Sequence, residues 1–445
     1  MNQETLTELR RLDQQSHLHP FTDSGSMHKR GTHIMESGSG CVLIDETGHN
    51  LLDGLAGLWC VIVGYGRSEI VDAVASQMSK LSFYPSFFET TTEPTIRVAA
   101  RLAERAPGRL ERVFFTNSGS EANESALKII RAWNKIRGKS AKKKILTRTY
   151  SYHGVGIATT SMTGLPNCTD PFDLPLPGYL RVPAPYAYAS GTGMDEVAYG
   201  AWCIEETARV IESEGPDTIA AMFVEPVQGA GGVILPPAGY LKALRELCRR
   251  HDILFVADEV ITAFGRLGCW FASEMWDLDP DLMTIAKGLT SGYLPLGATL
   301  LSKEIAEAFE ANGYFAHGFT YSGHPVPAAA ALANLDILER EDLPGRVERD
   351  IGPYFQKKLA TFADHPLVGE VRGLGLIAAI ELKVPASVAA ANMAGARAAA
   401  IAREEGIIVR GIRDLLAIAP PLVIRHDEVD RLAAALGRTL DRLRD

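Results

Sequence analysis

Residues 253–260 read ILFVADEV and residues 282–288 read LMTIAKG. Each is a short apolar run followed by a charged residue, which is Asp258 in the first and Lys287 in the second. Runs of this length and composition predict strands that are buried on both faces of a parallel sheet. Because open parallel sheets bind their ligands at the carboxyl ends of the strands, we expect Asp258 and Lys287 to face one site.

The sequence around these two runs keeps the same alternation. From about residue 69, helical patterns such as EIVDAVASQMSKL alternate with strand-like runs such as RVFFT, KILT and AAMFVEP. This alternation predicts an α/β fold in which a large mixed sheet, mostly parallel, is sandwiched between helices.

The two ends of the chain have a different pattern. Residues 1 to about 60 read as an irregular arm followed by a small hairpin, in which CVLID and NLLDGL flank a turn. After Arg340 come a strand-like VRGLGLIAAIEL, an Ala-rich helix through Ala402, a strand GIIVR and an amphipathic helix beginning near Asp427. We therefore expect a large domain over residues 69–340, and a small α+β domain built from residues 1–68 and 341–445.

Composition narrows the class of partner. The 445 residues are 46% hydrophobic, enough for a large core, and carry a formal net charge of −9. Nucleic acids and anionic membranes need clustered lysine and arginine, so we expect neither, and a small-molecule partner instead. The first residues, MNQETLTELRRLDQQSHLHPF, lack the apolar core of a secretory signal, which favours a cytoplasmic protein. No C-x-x-C pair occurs, so we expect neither a metal site nor disulfides from the six cysteines, Cys41, Cys60, Cys168, Cys203, Cys248 and Cys269.

A lysine and an aspartate at strand ends suit one kind of chemistry. The amine of a lysine forms a Schiff base with an aldehyde, and partial burial lowers its pKa toward that task. A carboxylate about 4 Å from a heteroaromatic nitrogen stabilises the protonated ring by on the order of 4 kcal/mol at an effective dielectric near 20. Pyridoxal 5′-phosphate needs both groups, so Lys287 and Asp258 are the predicted catalytic residues. Taken singly, each is as readily an ordinary solvated residue.

A turn of small polar residues predicts a phosphate site. The stretch TNSGSEAN, residues 116–123, lies between strand RVFFT and a helical run, with Ser118, Gly119 and Ser120 at its turn. Backbone N–H groups and hydroxyls at a helix N-terminus bind a phosphate, and the helix dipole adds positive potential. The same residue types also serve as ordinary helix caps, so both interpretations stay open for this pattern alone.

Two further strand ends predict a cover for the cofactor ring. Tyr152 and His153 follow strand KILTRT, where an aromatic side chain can lie on one face of a planar cofactor. Val260, on the Asp258 strand, could pack on the other face. Core packing is the alternative for Tyr152.

The chain resembles the class III, fold type I, PLP-dependent aminotransferases, and among them the ω-amino acid:pyruvate transaminases. The resemblance covers nearly the whole chain through the motifs LLDGLAGLWCVIVGYGR, FFTNSGSEANESALKIIR, SYHG, FVEPVQGAGG, LFVADEVITAFGR, IAKGLTSGYLPLGA, HGFTYSGHP and APPL. It implies that Lys287 carries the cofactor, that Asp258 pairs with its ring nitrogen and that Tyr152 stacks on the ring. It also implies that Thr320, in FTYSG, binds the phosphate of the neighbouring subunit. A homodimer with shared active sites follows, and a tetramer stays open.

The resemblance further implies a substrate pocket. Trp59, in GLWCVIVGYG, stands where this family walls its pocket, and Phe21, Phe87 and Phe88 either complete that wall or pack in the core. Glu225, in FVEPVQG, corresponds to a carboxylate near the cofactor, with a solvated turn residue as the alternative.

A substrate carboxylate needs a guanidinium partner, and the mobile arginine of the family follows a GIIVR-like strand. Arg410 is the expected residue. Arg413 stands in GIRD, where the family commonly has a glycine before the aspartate, and is the second candidate.

The function that the resemblance implies is ping-pong transfer of an amino group from an ω-amino acid or primary amine to pyruvate, through pyridoxamine phosphate. The same fold also hosts decarboxylases of dialkyl amino acids and aminomutases, which are the alternative. A non-enzymatic binding protein, such as a DNA-binding regulator, is disfavoured because Lys287 and Asp258 are both present and no additional DNA-binding domain can be read.

Overall fold

The computed structural model describes residues 1–383 and 393–444. Its α-helices in the described residues are α1 Gln3–Ser16, α2 Ser24–Arg30, α3 Ala56–Trp59, α4 Ser68–Lys80, α5 Glu93–Arg105, α6 Gly119–Ile136, α7 Ile157–Met162, α8 Pro166–Thr169, α9 Ala187–Ser190, α10 Glu196–Glu214, α11 Tyr240–Arg250, α12 Ala272–Met275, α13 Lys303–Asn312, α14 Pro325–Arg340, α15 Leu343–Arg346, α16 Gly352–Ala360, α17 Ala394–Glu404 and α18 His426–Arg444. Among these described helices, none is both long enough and apolar enough to cross a membrane.

The strands are β1 Met35–Ser39, β2 Val42–Asp45, β3 Asn50–Asp53, β4 Leu110–Thr116, β5 Lys144–Arg148, β6 Tyr179–Val182, β7 Ile219–Val224, β8 Leu254–Asp258, β9 Leu282–Ile285, β10 Gly297–Ser302, β11 Val368–Leu374, β12 Ile377–Leu382, β13 Ile407–Ile408, β14 Arg410–Ile412 and β15 Leu415–Ile418. Short 3₁₀ turns cover Asp170–Phe172, Pro216–Thr218 and Lys287–Leu289, and a π turn covers Val347–Ile351.

A mixed sheet of seven strands forms the centre of the molecule, in the order β4-β10-β9-β8-β7-β5-β6. Strands β9, β8, β7, β5 and β6 pair in parallel, whereas β10 runs antiparallel to both of its neighbours, β9 and β4. All strands except β10 therefore end at the same edge of the sheet. This arrangement confirms the predicted α/β fold with a large, mostly parallel mixed sheet.

Helices bury both faces of this sheet. Every residue of β7, β8, β9 and β10 is buried. Successive strand residues point to opposite faces, so Phe223 packs with Ile130 of α6 on one face, and Met222 packs with Leu244 of α11 on the other. Full burial of such a side chain stabilises the fold by about 1.5–3 kcal/mol, which explains why these runs are apolar without alternation.

Two smaller sheets are built from the ends of the chain. The first has the order β1-β2-β3-β13, and Ile407 of β13 pairs in parallel with Leu52 of β3. The second is antiparallel and has the order β11-β12-β15-β14. The N- and C-terminal segments thus share a sheet, while the domain boundaries at residues 68 and 340 stay a prediction.

The N-terminal arm is helical, so the expectation of an irregular arm is wrong. The side chain of Asn2 caps α1 by accepting a hydrogen bond from the Thr5 N–H at 2.8 Å. Arg11 forms an ion pair with Glu8, one turn earlier, at 2.7 Å. Leu6 is the one buried residue of α1, and the helical spacing of Leu6, Leu9 and Leu12 is the signal that could have revealed the helix.

Both C-terminal strand predictions need a correction of the same kind, because each run divides. GIIVR gives β13 to the first small sheet and the start of β14 to the second. VRGLGLIAAIEL folds into the hairpin of β11 and β12, which turns near Gly375 at φ +57°. A residue without Cβ adopts that left-handed conformation at little cost, so the glycine favours a turn inside an otherwise strand-like run.

Candidate active site

The predicted acid and the predicted lysine lie on adjacent strands. Asp258 ends β8 and is paired with Thr284 of β9, and Lys287 follows directly after β9. Glu225 follows β7 at the same edge of the sheet. The sheet topology therefore brings these charged groups to one edge, as expected for parallel strands.

The Asp258 carboxylate is buried and accepts three hydrogen bonds. Its Oδ2 accepts from Asn123 Nδ2 at 2.8 Å and from His153 Nδ1 at 2.7 Å, and its Oδ1 accepts from the Val260 N–H at 3.2 Å. Donors on both oxygens stabilise the ionised form, since a carboxylate is an acceptor only. The carboxylate is thus fixed in orientation.

Asn123 was not assigned a role from the sequence, although it lies inside the quoted EANES run. It is buried on α6, donates also to the His153 carbonyl at 2.9 Å, and accepts from Thr284 Oγ1 at 3.0 Å. An amide on the apolar face of a helix is the signal that could have revealed it, because a buried amide needs partners. His153, which we expect beside the cofactor, is buried and forms a hydrogen bond with Asp258.

Lys287 begins the 3₁₀ turn after β9, with φ +40°. Burial lowers the pKa of its amine, while the nearby Cys60, Asp258 and Glu225 partly offset this effect. A lowered pKa places more of the amine in the neutral, nucleophilic form, which is the form that reacts with an aldehyde.

Trp59 and Arg410 stand next to this amine. The Lys287 Nζ lies 5.7 Å from the centre of the Trp59 ring, and the Arg410 Cζ lies 5.0 Å from the same ring. Burial lowers the pKa of Arg410, which nevertheless stays cationic at neutral pH. Within residues 1–383 and 393–444, no hydrogen bond or ion pair engages its guanidinium.

Arg413, the second candidate for a substrate carboxylate, is engaged elsewhere. Its Nη2 donates to the Gly231 carbonyl at 2.9 Å, and its Cζ lies 4.9 Å from the centre of the Tyr150 ring. Of the two arginines, Arg410 therefore has the guanidinium that is available beside Lys287.

Glu225 is buried and is not a solvated turn residue. Its Oε1 accepts a hydrogen bond from the Tyr152 N–H at 3.0 Å. Burial raises the pKa of its carboxyl to about 7, because His153 offsets only part of the desolvation and the Asp258 charge opposes ionisation. Near neutral pH this group can therefore hold or release a proton close to Lys287.

The turn before α6 shows hydrogen bonds typical of a helix cap, and its role as a phosphate site stays a prediction. Ser118 Oγ caps the helix by accepting from the Glu121 N–H at 3.2 Å, and Ser120 Oγ accepts from the Val155 N–H at 3.2 Å. A Cβ on Gly119 would lie 2.9 Å from both methyl groups of Val260. The absence of that atom brings the N-terminus of α6 close to the end of β8, next to Asp258.

Tyr152 is half-buried, and burial raises the pKa of its phenol. The charges of Arg410, Asp258 and Glu225 all act on that phenol, so the ring lies among the groups described above. Its stacking on a cofactor ring, like that of Val260, stays a prediction.

The remaining predicted residues lie at the surface of the single chain. Thr320 is exposed, and Phe21 and Phe88 are 73% and 83% exposed. Phe87 meets Phe88 edge to face at 5.9 Å and lies against Gly318. In the described residues, no hydrogen bond, ion pair or ring contact joins any of these four side chains to Lys287.

One group of ligand-type side chains occurs elsewhere in the described residues. Asp13, His17 and His19, at the end of α1, have potential ligand atoms within 4.8 Å of one another. The Asp13 carboxylate already pairs with both imidazoles and accepts a hydrogen bond from Thr32. These contacts account for the cluster without an ion.

The residues present fit pyridoxal phosphate. The site offers a fixed carboxylate at Asp258, a buried amine at Lys287 and a helix N-terminus at Ser118, with the Gly119 position free of a Cβ. An acid, an amine and an anion site at one sheet edge match the three ends of that cofactor.

Comparison with known proteins agrees with this geometry. The family model for aminotransferase class III matches residues 26–440. A putrescine–pyruvate aminotransferase of Pseudomonas aeruginosa is 42% identical over 438 residues, covering 98% of this chain and 96% of that protein. A solved (S)-enantioselective ω-transaminase from Thermomicrobium roseum has a TM-score of 0.94 at 42% identity, covering 99% of each chain. The ω-transaminase of Pseudomonas jessenii, solved in complex with PMP, has a TM-score of 0.94 at 40% identity, covering 98% of each chain.

The match extends through both small sheets and the whole central sheet, so fold and family agree along the chain. The chain therefore belongs to the class III aminotransferases and is a PLP-dependent aminotransferase of fold type I.

Proposed function

We propose that this aminotransferase moves the amino group of a primary amine or an ω-amino acid to pyruvate. The observation that carries the proposal is the position of Arg410, whose guanidinium lies over the Trp59 ring beside Lys287. A cation that no described carboxylate neutralises suits the carboxylate of a keto acid. The indole next to it suits the apolar part of an amine.

Each residue of the site has a task in this reaction. Bound PLP supplies the electron sink that makes a proton on the substrate carbon removable. Asp258, fixed by Asn123 and His153, keeps the ring nitrogen protonated, and the Lys287 amine moves a proton at the reacting carbon. Arg410 orients the keto acid through its carboxylate, and Trp59 excludes water from the Lys287 side of the pocket.

The relatives support both substrates in the proposal. One is named for putrescine and pyruvate, and a structural neighbour is named an ω-transaminase. Putrescine is a primary diamine without a carboxylate, so a pocket that accepts such a donor needs its cation only for the acceptor.

We also propose a homodimer in the cytoplasm. Exposed Thr320 would then meet the site of a second copy, as the resemblance implies, and exposed Phe21 and Phe88 would lie at the same interface. None of the six cysteines pairs with another, which is usual for a reducing compartment.

A donor panel with pyruvate as the common acceptor tests the proposed reaction. We expect L-alanine to form from pyruvate with putrescine, β-alanine or 1-phenylethylamine, each measured separately. Carbon dioxide released from a dialkyl amino acid, with no alanine formed from these three donors, would instead identify a decarboxylase.

Arg410→Ala tests the observation that carries the proposal. We expect the KM for pyruvate to rise on the order of a hundredfold, because charge-assisted hydrogen bonds to the carboxylate are lost. The KM for 1-phenylethylamine, which has no carboxylate, should rise much less. Arg397→Ala, at an exposed position on α17, is the matched control. Equal losses for both substrates would place the carboxylate site elsewhere.

A further inference from the structure

The turn between β14 and β15 has an arginine in a conformation that favours glycine. Arg413 and Asp414 join the paired residues Ile412 and Leu415, and Arg413 has φ +50°. A side chain with a Cβ is disfavoured in that left-handed region. We therefore expect the side chain of Arg413 to form contacts that offset the free-energy cost of this backbone conformation.

The side chain of Arg413 contacts the loop between β7 and α11, which contains Gly231 and Gly232. Arg413 donates a hydrogen bond to the Gly231 carbonyl and contacts the Tyr150 ring. A Cβ on Gly232 would lie 3.2 Å from Arg413 Nη2. A Cβ on Gly231 would lie 2.2 Å from the Tyr150 carbonyl. The loop can thus approach Tyr150 and Arg413 this closely because both positions are glycine.

That loop is fixed on its other side as well. Arg372 of β11 donates to the carbonyls of Gly232 and Val233, with its Nε at 3.1 Å from each. Gln228 donates to the Thr149 carbonyl at 2.8 Å. Arg413 is consequently attached to a firm anchor.

Arg410 depends on this anchor for its position. It lies three residues before Arg413, on a short edge strand that pairs with β15 on one side only. Its own guanidinium meets the face of Trp59 without a described hydrogen bond to hold it. A shift of the β14–β15 turn would therefore move Arg410 relative to Lys287.

We propose that Arg413 is a positioning residue, which fixes the β14–β15 turn to the Gly231–Gly232 loop and thereby holds Arg410 where a keto acid carboxylate binds. This inference rests on the proposed role of Arg410 and adds a determinant of acceptor affinity. Arg413 acts through Arg410 and does not contact the substrate.

Arg413→Gly tests the inference, because glycine relieves the backbone conformation and removes only the anchor. We expect the KM for pyruvate to rise about tenfold, the effect of losing roughly one charge-assisted contact, with a much smaller change for 1-phenylethylamine. The dissociation constant of propionate, an unreactive carboxylate, should rise by a similar factor in calorimetric titration. Arg413→Lys, which keeps a donor that can reach the loop, should restore part of both affinities.

A double variant separates positioning from direct binding. In the Arg410→Ala background, Arg413→Gly should cause no further loss of pyruvate or propionate affinity, because its effect passes through the missing guanidinium. Additive losses would mean that Arg413 binds the carboxylate itself, and unchanged KM values in the single variant would mean that the anchor is not needed. Either result overturns the inference.

The two proposals fail in distinguishable ways. If the wild-type enzyme forms no alanine from pyruvate, the proposed acceptor is wrong, and propionate binding still measures the effect of Arg413. If the wild-type enzyme uses pyruvate and Arg413→Gly behaves as the Arg397→Ala control does, the acceptor stands and the positioning role falls.

Discussion

Asp258 and Glu225 are two buried carboxylates at neighbouring strand ends, and they differ in their local contacts. Asp258 accepts hydrogen bonds on both of its oxygens, including those of Asn123 and His153. Glu225 accepts one from the Tyr152 backbone, and burial raises its pKa to about 7. Asp258 is therefore suited to bind a cationic group, and Glu225 is suited to change its protonation near neutral pH.

Glu225→Gln should change how stability depends on pH. The pKa of Glu225 rises from 4.5 to about 7 on folding, so its stabilising contribution is complete below about pH 4.5 and is lost as pH rises toward 7. Glutamine keeps an oxygen for the Tyr152 N–H and does not titrate. We expect the apo-protein of this variant to gain stability relative to wild type between pH 5 and pH 8, by up to on the order of 3 kcal/mol.

Denaturant unfolding of both apo-proteins across this pH range measures the difference. Curves that stay parallel from pH 5 to pH 8 would show that Glu225 keeps an ordinary pKa in the folded chain.

At the scale of the element, the N-terminus of α6 approaches the end of β8 closely. The contact is made at Gly119, where a Cβ would be 2.9 Å from the Val260 methyl groups. Valine has few rotamers to escape into, so the helix would have to move. The spacing between these two elements therefore depends on one missing methyl group.

Gly119→Ala should destabilise the apo-protein by about 1–3 kcal/mol, the usual cost of overpacking, and weaken PLP binding. Gly437→Ala is the matched control, since its Cβ would meet Phe362 at 3.6 Å, an ordinary contact within α18. The control should gain up to about 1 kcal/mol from helix propensity. Unfolding midpoints and PLP titration by absorbance measure both effects, and equal behaviour of the two variants would contradict the predicted clash.

At the scale of the whole molecule, several predicted site residues are exposed at the surface of the single chain. Thr320 is exposed, and the apolar side chains of Phe88, Phe21 and Tyr321 are 83%, 73% and 58% exposed. Contiguous exposed apolar patches often mark interaction sites, so we propose that these side chains lie in an interface between subunits. In a shared site, Thr320 of one subunit would lie close to Lys287 of the other.

Subunit mixing tests this arrangement. Lys287→Ala and Thr320→Asp should each give a homodimer with little activity, the second because a carboxylate repels the cofactor phosphate. Mixed dimers have one site with both native residues, so unfolding and refolding the two together should restore about a quarter of wild-type activity. If Thr320 serves the site of its own chain, the mixture stays as inactive as its components.

Much of the site could be predicted because strand ends are visible in sequence. Apolar runs before Asp258, Lys287 and Glu225 predicted three parallel strands, and parallel strands bring their carboxyl ends to one edge. The N-terminal helix α1 was not predicted, because it is nearly all exposed and its three leucines, Leu6, Leu9 and Leu12, stand among many polar residues. Asn123 was overlooked because its role depends on partners from two other elements, His153 and Asp258.

The sequence by itself determined the fold class and the family resemblance, and it predicted Lys287 and Asp258 as the pair that serves the cofactor, because each depends on periodicity or on order along the chain. Only the tertiary structure decided which arginine is available. The sequence favours Arg410, which follows the GIIVR-like strand, but the sequence does not show which of the two guanidinium groups is engaged by other residues. The difference arises because Gly231, distant in sequence, offers its carbonyl to Arg413, while Trp59 offers Arg410 only the face of a ring.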